Sequence, residues 1–197
     1  MNDHEGSGSV SIAILAAGGS RRLGFPKQLV AFRGRPLLAT AVEAACGTHA
    51  RVAVVLGALA QELPPCLAGY DVEVLFNRCW AEGVATSVHC AVAWAMRRRA
   101  SGLLLALSDQ PHLDTRHLDR LIAKHVVGGG PVASVYSDVR GVPAIIPHAL
   151  FPALLALRGD RGASAILRGR SDVTEVSWPA GAVDIDVLSD VSCLGAG

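Results

Sequence analysis

The 197-residue sequence lacks most of the features that fix a function at once, and each shortage closes a route. Its five cysteines, Cys46, Cys66, Cys79, Cys90 and Cys193, are odd in number and contain no C-x-x-C pair. Neither a disulfide framework nor a zinc site is expected from them; reduced thiols, packed in the core of a cytoplasmic protein, are. Charge of one sign is missing as well. With a net charge of +1 there is no broad basic field for nucleic acid or an anionic membrane, so an anionic ligand must be held by local groups. No apolar run is long enough to span a bilayer, and the opening MNDHEGSGS is polar and acidic-leaning, unlike a secretory leader. Two familiar nucleotide fingerprints are absent too. No G-K-[ST] closes a P-loop, and no G-x-G-x-x-G with an acidic ribose ligand marks a Rossmann oxidoreductase.

What is present is a large apolar fraction, 51%, with only 18% charged residues, which predicts a substantial core for the surface. Short apolar runs at 10–16, 51–57, 72–76, 102–107 and 132–136 read as strands. Several are apolar almost throughout, as strands covered on both faces tend to be. Between them, 36–46 has proline near its start, and 84–99 carries Val84, Val88, Ala91, Val92, Ala95 and Met96 at helical spacing. The stretch 114–126 opens on a capping aspartate. This alternation predicts a three-layer α/β/α sandwich with a mostly parallel sheet. The second half is less regular. Gly128-Gly129-Gly130, SDVRGVP and ALRGDRGAS read as loops, and 173–177 and 183–187 as short strands adding an antiparallel edge. A flexible start over 1–9 and one domain over 10–197 are expected.

The first strand empties into Gly18-Gly19-Ser20, followed by Arg22 and Lys27. In a parallel sheet the strands end at one edge, and ligands bind there. Glycines let backbone N–H groups approach an anion, a serine adds a hydroxyl, and arginine and lysine bring permanent charge. Chemically this is a polyphosphate cradle.

The stretch LAAGGSRRLGFPK resembles the L-A-A-G-x-S-x-R-(hydrophobic)-G-x-x-K signature of nucleotidyltransferases with the pyrophosphorylase-like α/β fold. NRCWAEGVATS resembles the N-x-x-W-x-x-G-x-x-x-S segment of the molybdenum cofactor cytidylyltransferase-like group, and LSDQP its Asp-Gln-Pro. RGVP, LRGDRGAS and DIDVLSD resemble its later G-x-P, G-D-x-G-A-R and D-I-D-T-P-x-D elements. The likeness runs in order over nearly the whole chain and is more faithful in the amino half.

The resemblance implies transfer of a nucleotidyl group, CMP from CTP in the favoured case, to the phosphate of molybdopterin, with release of pyrophosphate. It implies Mg²⁺ as electrophile, and a molybdoenzyme or its maturation chaperone as a downstream partner. Ala16, Ala17, Gly18, Gly19, Ser20, Asn77, Gly83 and Ser87 would line the nucleotide. Arg22 and Lys27 would stabilise the leaving pyrophosphate, and Asp109 would hold the metal, with Asp184 or Asp186 as a second carboxylate. A general base is not required, because a phosphomonoester with a second pKa of about 6 is already largely dianionic. Ser164 stands where the group commonly has arginine, and Val187-Leu188 where it has Thr-Pro; both departures bear on the acceptor. Trp80 is open between a substrate contact and a loop anchor. His112, His117 and His125 read as surface histidines. Alternatives are a guanylyltransferase or other transferase with a different phosphorylated acceptor, and a non-catalytic nucleotide-binding or cofactor-binding chaperone.

Overall fold

The computed structural model describes residues 9–20 and 25–183. Arg22, Asp184, Asp186, Cys193, the expected flexible start through residue 8 and the expected strand 183–187 beyond Val183 lie outside the described residues.

Strand β1 (Val10–Ala16) leads through the glycine loop and a turn at Lys27–Leu29 to a small ribbon, β2 (Ala31–Phe32) with β3 (Arg35–Pro36). Helix α1 (Leu37–Cys46), β4 (Arg51–Leu56) and β5 (Glu73–Phe76) follow. Next come α2 (Val84–Arg97), β6 (Gly102–Leu107), α3 (Thr115–Gly128), β7 (Val132–Tyr136) and β8 (Val139–Pro147). Short helices α4 (Phe151–Leu155) and α5 (Ser164–Leu167) then precede β9 (Thr174–Ser177).

Among the described residues the strands form a seven-stranded sheet ordered β5-β4-β1-β6-β8-β7-β9 and the two-stranded ribbon. Alternation along each strand splits the core in two, because successive side chains leave opposite faces. Ile12, Ile14, Val52, Val54, Leu104 and Ala106 pack with α1 and α3 on one face. Ala13, Ala53, Val55, Leu103 and Leu105 pack with α2, α4 and α5 on the other. Three layers result, as the alternation of elements predicts. The chain runs from β1 outward to β4 and β5, then crosses back to β6 on the other side of β1. That reversal of direction opens a crevice beyond the carboxyl end of β1, where open α/β sheets bind ligands.

The second half corrects two expectations. SDVRGVP is not a loop but the turn and first half of β8, and the antiparallel strand lies inside the sheet, between β6 and β7, rather than at its edge. Ser137 and Asp138, both with positive φ, make a two-residue hairpin turn between paired Tyr136 and Val139. This is the geometry that matches strand twist. The β7–β8 register shifts between Ala133 and Ser134, and that bulge leaves room for Pro143, which has no N–H to give a ladder. The edge strand β9 pairs parallel to β7.

The histidines are also corrected in part. His117 and His125 are buried, because they fall on the stripe of α3 that carries Leu118 and Leu121. Nor are all cysteines core residues: Cys79 is exposed, while Cys46, Cys66 and Cys90 are half-buried. No helix among the described residues is long and apolar enough to cross a membrane.

Candidate functional site

The apolar alternation of β1 ends at Ala16, and the chain leaves the sheet through Ala17, Gly18 and Gly19. Gly19 lies against Ala58 and the Trp80 ring so closely that an added Cβ would stand 3.3 and 3.4 Å from them. Ser20 takes a left-handed backbone, φ 48°, which an L side chain adopts only under constraint. The constraint is visible. The Lys27 backbone N–H donates to Ser20 Oγ at 2.9 Å, and the Ser20 hydroxyl donates to Gln28 Oε1 at 3.2 Å.

Gln28 was not foreseen from the sequence. It is buried to 1% exposure, and its Nε2 donates to the carbonyls of Gly18 (2.8 Å) and Ala16 (3.3 Å). One amide thus ties the strand end, the glycine and the serine together. The available signal was a lone amide in PKQLV, between a cation and apolar neighbours.

Asp109 follows β6 by two residues, with Ser108 and Gln110 buried beside it. Gln110 Nε2 donates to the Val142 carbonyl at 2.8 Å, fixing this loop to β8. Lys27 Nζ forms an ion pair with Asp109 Oδ2 across 82 positions of sequence. The other oxygen, Oδ1, is buried with no hydrogen-bond partner among the described residues. Leaving a charged oxygen unsatisfied in the interior is costly. A hard cation satisfies such an oxygen, and Mg²⁺ characteristically takes one or two carboxylates, with phosphate and water oxygens completing its shell. No group of three or more His, Cys, Asp or Glu among the described residues forms a metal cage. The donors present therefore fit a cation shared with a phosphate ligand.

The opposite wall comes from the turn at Trp80–Glu82 and the start of α2. Gly83, φ 110°, has no alternative: a Cβ there would overlap the carbonyl group of Gly159. The Gly159 carbonyl accepts from the Ala85 N–H at 3.0 Å, which holds the 158–163 loop over the helix start and puts Asp160 in the cleft. Trp80 packs on Gly19 and Gly57, as a loop anchor does, and also lines the cleft.

Together these elements enclose a cleft of about 460 Å³. Of the residues singled out in the sequence, Ala16, Ala17, Gly18, Gly19 and Ser20 line it from the β1 side. Lys27 and Asp109 meet in it, and Gly83 and Ser87 line it from α2. Asn77 is not among the lining residues. Its Nδ2 donates to Thr86 Oγ1 (2.8 Å) and Ser87 Oγ (2.9 Å), and its Oδ1 accepts from the Cys79 N–H at 2.9 Å. Asn77 positions Ser87 rather than facing the cleft. Asp160 is a lining carboxylate that the sequence reading did not single out.

Comparison with known proteins gives the family and the fold. The family model described as MobA-like NTP transferase domain matches residues 12–175. The nicotine blue oxidoreductase of Paenarthrobacter nicotinovorans is 32% identical, over 92% of this chain and 94% of that protein. The crystal structure of Rv0371c from Mycobacterium tuberculosis superposes with a TM-score of 0.77 at 29% identity, covering 95% of this chain and 98% of the other. A structure of Rv0371c in complex with manganese superposes at 0.72 with 26% identity, covering 94% and 97%. The chain belongs to the MobA-like NTP transferase family.

Proposed function

We propose that this member of the MobA-like NTP transferase family uses residues 10–197 as one nucleotidyltransferase domain. Its favoured reaction transfers CMP from CTP to the phosphate of molybdopterin and releases pyrophosphate. The observation that carries the reading is the meeting of Lys27 and Asp109 in one cleft, beneath the glycine loop, with Asp109 Oδ1 unpartnered among the described residues. An acceptor phosphate oxygen attacks the α-phosphorus, and the bond to the β-bridging oxygen breaks as pyrophosphate leaves. No proton need be removed from a dianionic phosphate, so the protein's work is positioning and charge stabilisation.

Lys27, with Arg22, neutralises the β- and γ-phosphates, and the loop N–H groups face the same anion. Asp109 would hold Mg²⁺, with Asp184, Asp186 or the lining Asp160 as a second carboxylate. The ion supplies electrophilic activation of the phosphoryl oxygens when bound. Ser87, held by Asn77, and Gly83 bound the nucleotide region. Ser164 in place of the group's arginine bears on acceptor choice. A cytoplasmic location and delivery of the product to a molybdoenzyme or its maturation chaperone complete the reading.

The test is turnover of CTP, GTP, ATP and UTP with molybdopterin and Mg²⁺ or Mn²⁺, followed by pyrophosphate release and product mass. CTP-dependent formation of a dinucleotide product supports the reading. GTP preference moves the chain to guanylyl transfer, and tight nucleotide binding without pyrophosphate leaves a binding chaperone. One observation favours a second reading: the 32%-identical relative is named an oxidoreductase. An arm with NADH and NADPH and an oxidisable dye covers it, since reduced-cofactor consumption without pyrophosphate release would replace transfer by redox chemistry in this cleft.

A further inference from the structure

On the nucleotidyltransferase reading, we infer that Lys27 is the internal counter-cation of the metal carboxylate, so that the cleft admits cation and polyphosphate together and resists either alone. The two side chains are 22% and 12% exposed, too dry for water to stabilise either charge well alone. The Lys27 ammonium supplies the counter-charge on Asp109 Oδ2, and Asp109 is one of the groups that hold Lys27. Each is also the group that one of the two ligands needs. A polyphosphate that draws Lys27 away takes the counter-charge from Asp109, a partly buried carboxylate whose Oδ1 already lacks a partner among the described residues. A divalent cation arriving alone on Asp109 faces the Lys27 ammonium held against Oδ2.

When both ligands arrive, every charge is re-paired: Lys27 moves to phosphate, and the carboxylate keeps a cation. Coupling between two ligands that exchange such partners is reciprocal. The backbone of Lys27 is tied to Ser20, and Gln28 is tied to Gly18, so the exchange requires movement of the lysine side chain and not of the loop. The ion pair is thus a gate against lone metal and against metal-free triphosphate, the two species that occupy the site without leading to transfer.

The test is binding, not turnover. Mn²⁺ affinity without nucleotide, and tripolyphosphate affinity in excess chelator, are measured calorimetrically for wild type, Lys27→Gln and Asp109→Asn, with circular dichroism confirming the fold of each. Lys27→Gln is expected to bind Mn²⁺ alone about tenfold more tightly than wild type, and Asp109→Asn to bind metal-free tripolyphosphate about tenfold more tightly. The two variants are independent, so either one that folds decides the matter. Mn²⁺ affinity that is unchanged or weaker in Lys27→Gln, or unimproved tripolyphosphate affinity in Asp109→Asn, overturns the gate while leaving nucleotidyl transfer standing. Absence of Mn²⁺ and tripolyphosphate binding in all three proteins, whether the two are added alone or together, removes the transferase reading and the gate together.

Discussion

Two polar clusters sit on neighbouring strand pairs of the sheet, and they are built to different ends. At the carboxyl edge of β1 and β6, Lys27 and Asp109 are full charges facing a cleft, above a serine held at positive φ. At β7 and β8 the cluster is neutral. The Ser134 hydroxyl donates to the Pro143 carbonyl at 2.6 Å, so His117 Nε2–H must donate to Ser134 Oγ, at 2.7 Å. The ring stacks on Trp178 with centroids 4.6 Å apart. Among the described residues each cluster has unpartnered acceptors: Asp109 Oδ1, with Gln110 Oε1 beside it, in the first and His117 Nδ1 in the second. The charged one opens on space for a ligand, and the neutral one is sealed beneath an indole. An unsatisfied charge beside a cavity is tolerated for what will fill it, whereas a neutral nitrogen under a ring is a cost of packing.

The comparison breaks most sharply at Asp109. Asp109→Asn is expected to lower nucleotidyl transfer by at least about 10³-fold, on the scale of other charge-stabilising groups, with the folded circular-dichroism spectrum retained; normal turnover would remove Asp109 from the chemistry. Next in size is Gly83→Ala. The new Cβ would overlap the Gly159 carbonyl at a backbone angle that disfavours side chains, so a loss of about 3 kcal/mol in urea unfolding is expected. Nucleotide affinity should fall as well, because the Asp160 loop must move. A wild-type urea midpoint would show that the loop yields freely.

These differences also explain what could be read in advance. The β1 loop stands out in the sequence because glycine, hydroxyl and cation fall in a short space, and the fold brings Gly18, Ser20 and Lys27 to one cleft. Strands covered on both faces are apolar runs, so β1, β4 and β6 announce themselves. Strand β8 does not, because Arg140 lies at its exposed end, bonding Glu175 and two carbonyls, while Gly141 and Pro143 sit at a bulge. Its strand character comes from its neighbours β6 and β7, which local pattern does not contain. Asn77, expected at the nucleotide, is buried and bonds Ser87 Oγ, because an amide in such a motif positions a neighbour as readily as it lines a cleft. His117 and His125 share a stripe with Leu121, a spacing of four that marked them as inward-facing had the helix alone been weighed.

The neutral cluster is tested by acid. Burial, with Arg120 adding to it and Asp114 opposing, lowers the His117 pKa from 6.5 to about 4. Above pH 6.5 the ring is neutral in both folded and unfolded chains and adds no pH dependence. As pH falls from 6.5 towards 4 the unfolded chain takes up a proton that the folded one refuses, and stability drops by about 3 kcal/mol over that window before levelling. Unfolding free energies of wild type and His117→Gln at pH 7.5 and 4.5 isolate this share. The variant should lose less on acidification, and equal losses would mean that His117 accepts its proton without opening the corner.

The smallest effect expected is at Gln28, and it joins the two kinds of cluster, being a neutral amide that serves a charged site. Gln28→Leu keeps the volume but removes the donor to the Gly18 and Ala16 carbonyls and the acceptor for Ser20. Lost hydrogen bonds and buried groups left unsatisfied should lower stability by about 1–2 kcal/mol. The more telling readout is kinetic. Ser20 would be released from its left-handed backbone while Asp109 remains, so KM for the nucleotide should rise more than kcat falls. If kcat carried the whole loss, Gln28 would be acting on the transition state through Lys27, its chain neighbour, and not through the cradle it holds in shape.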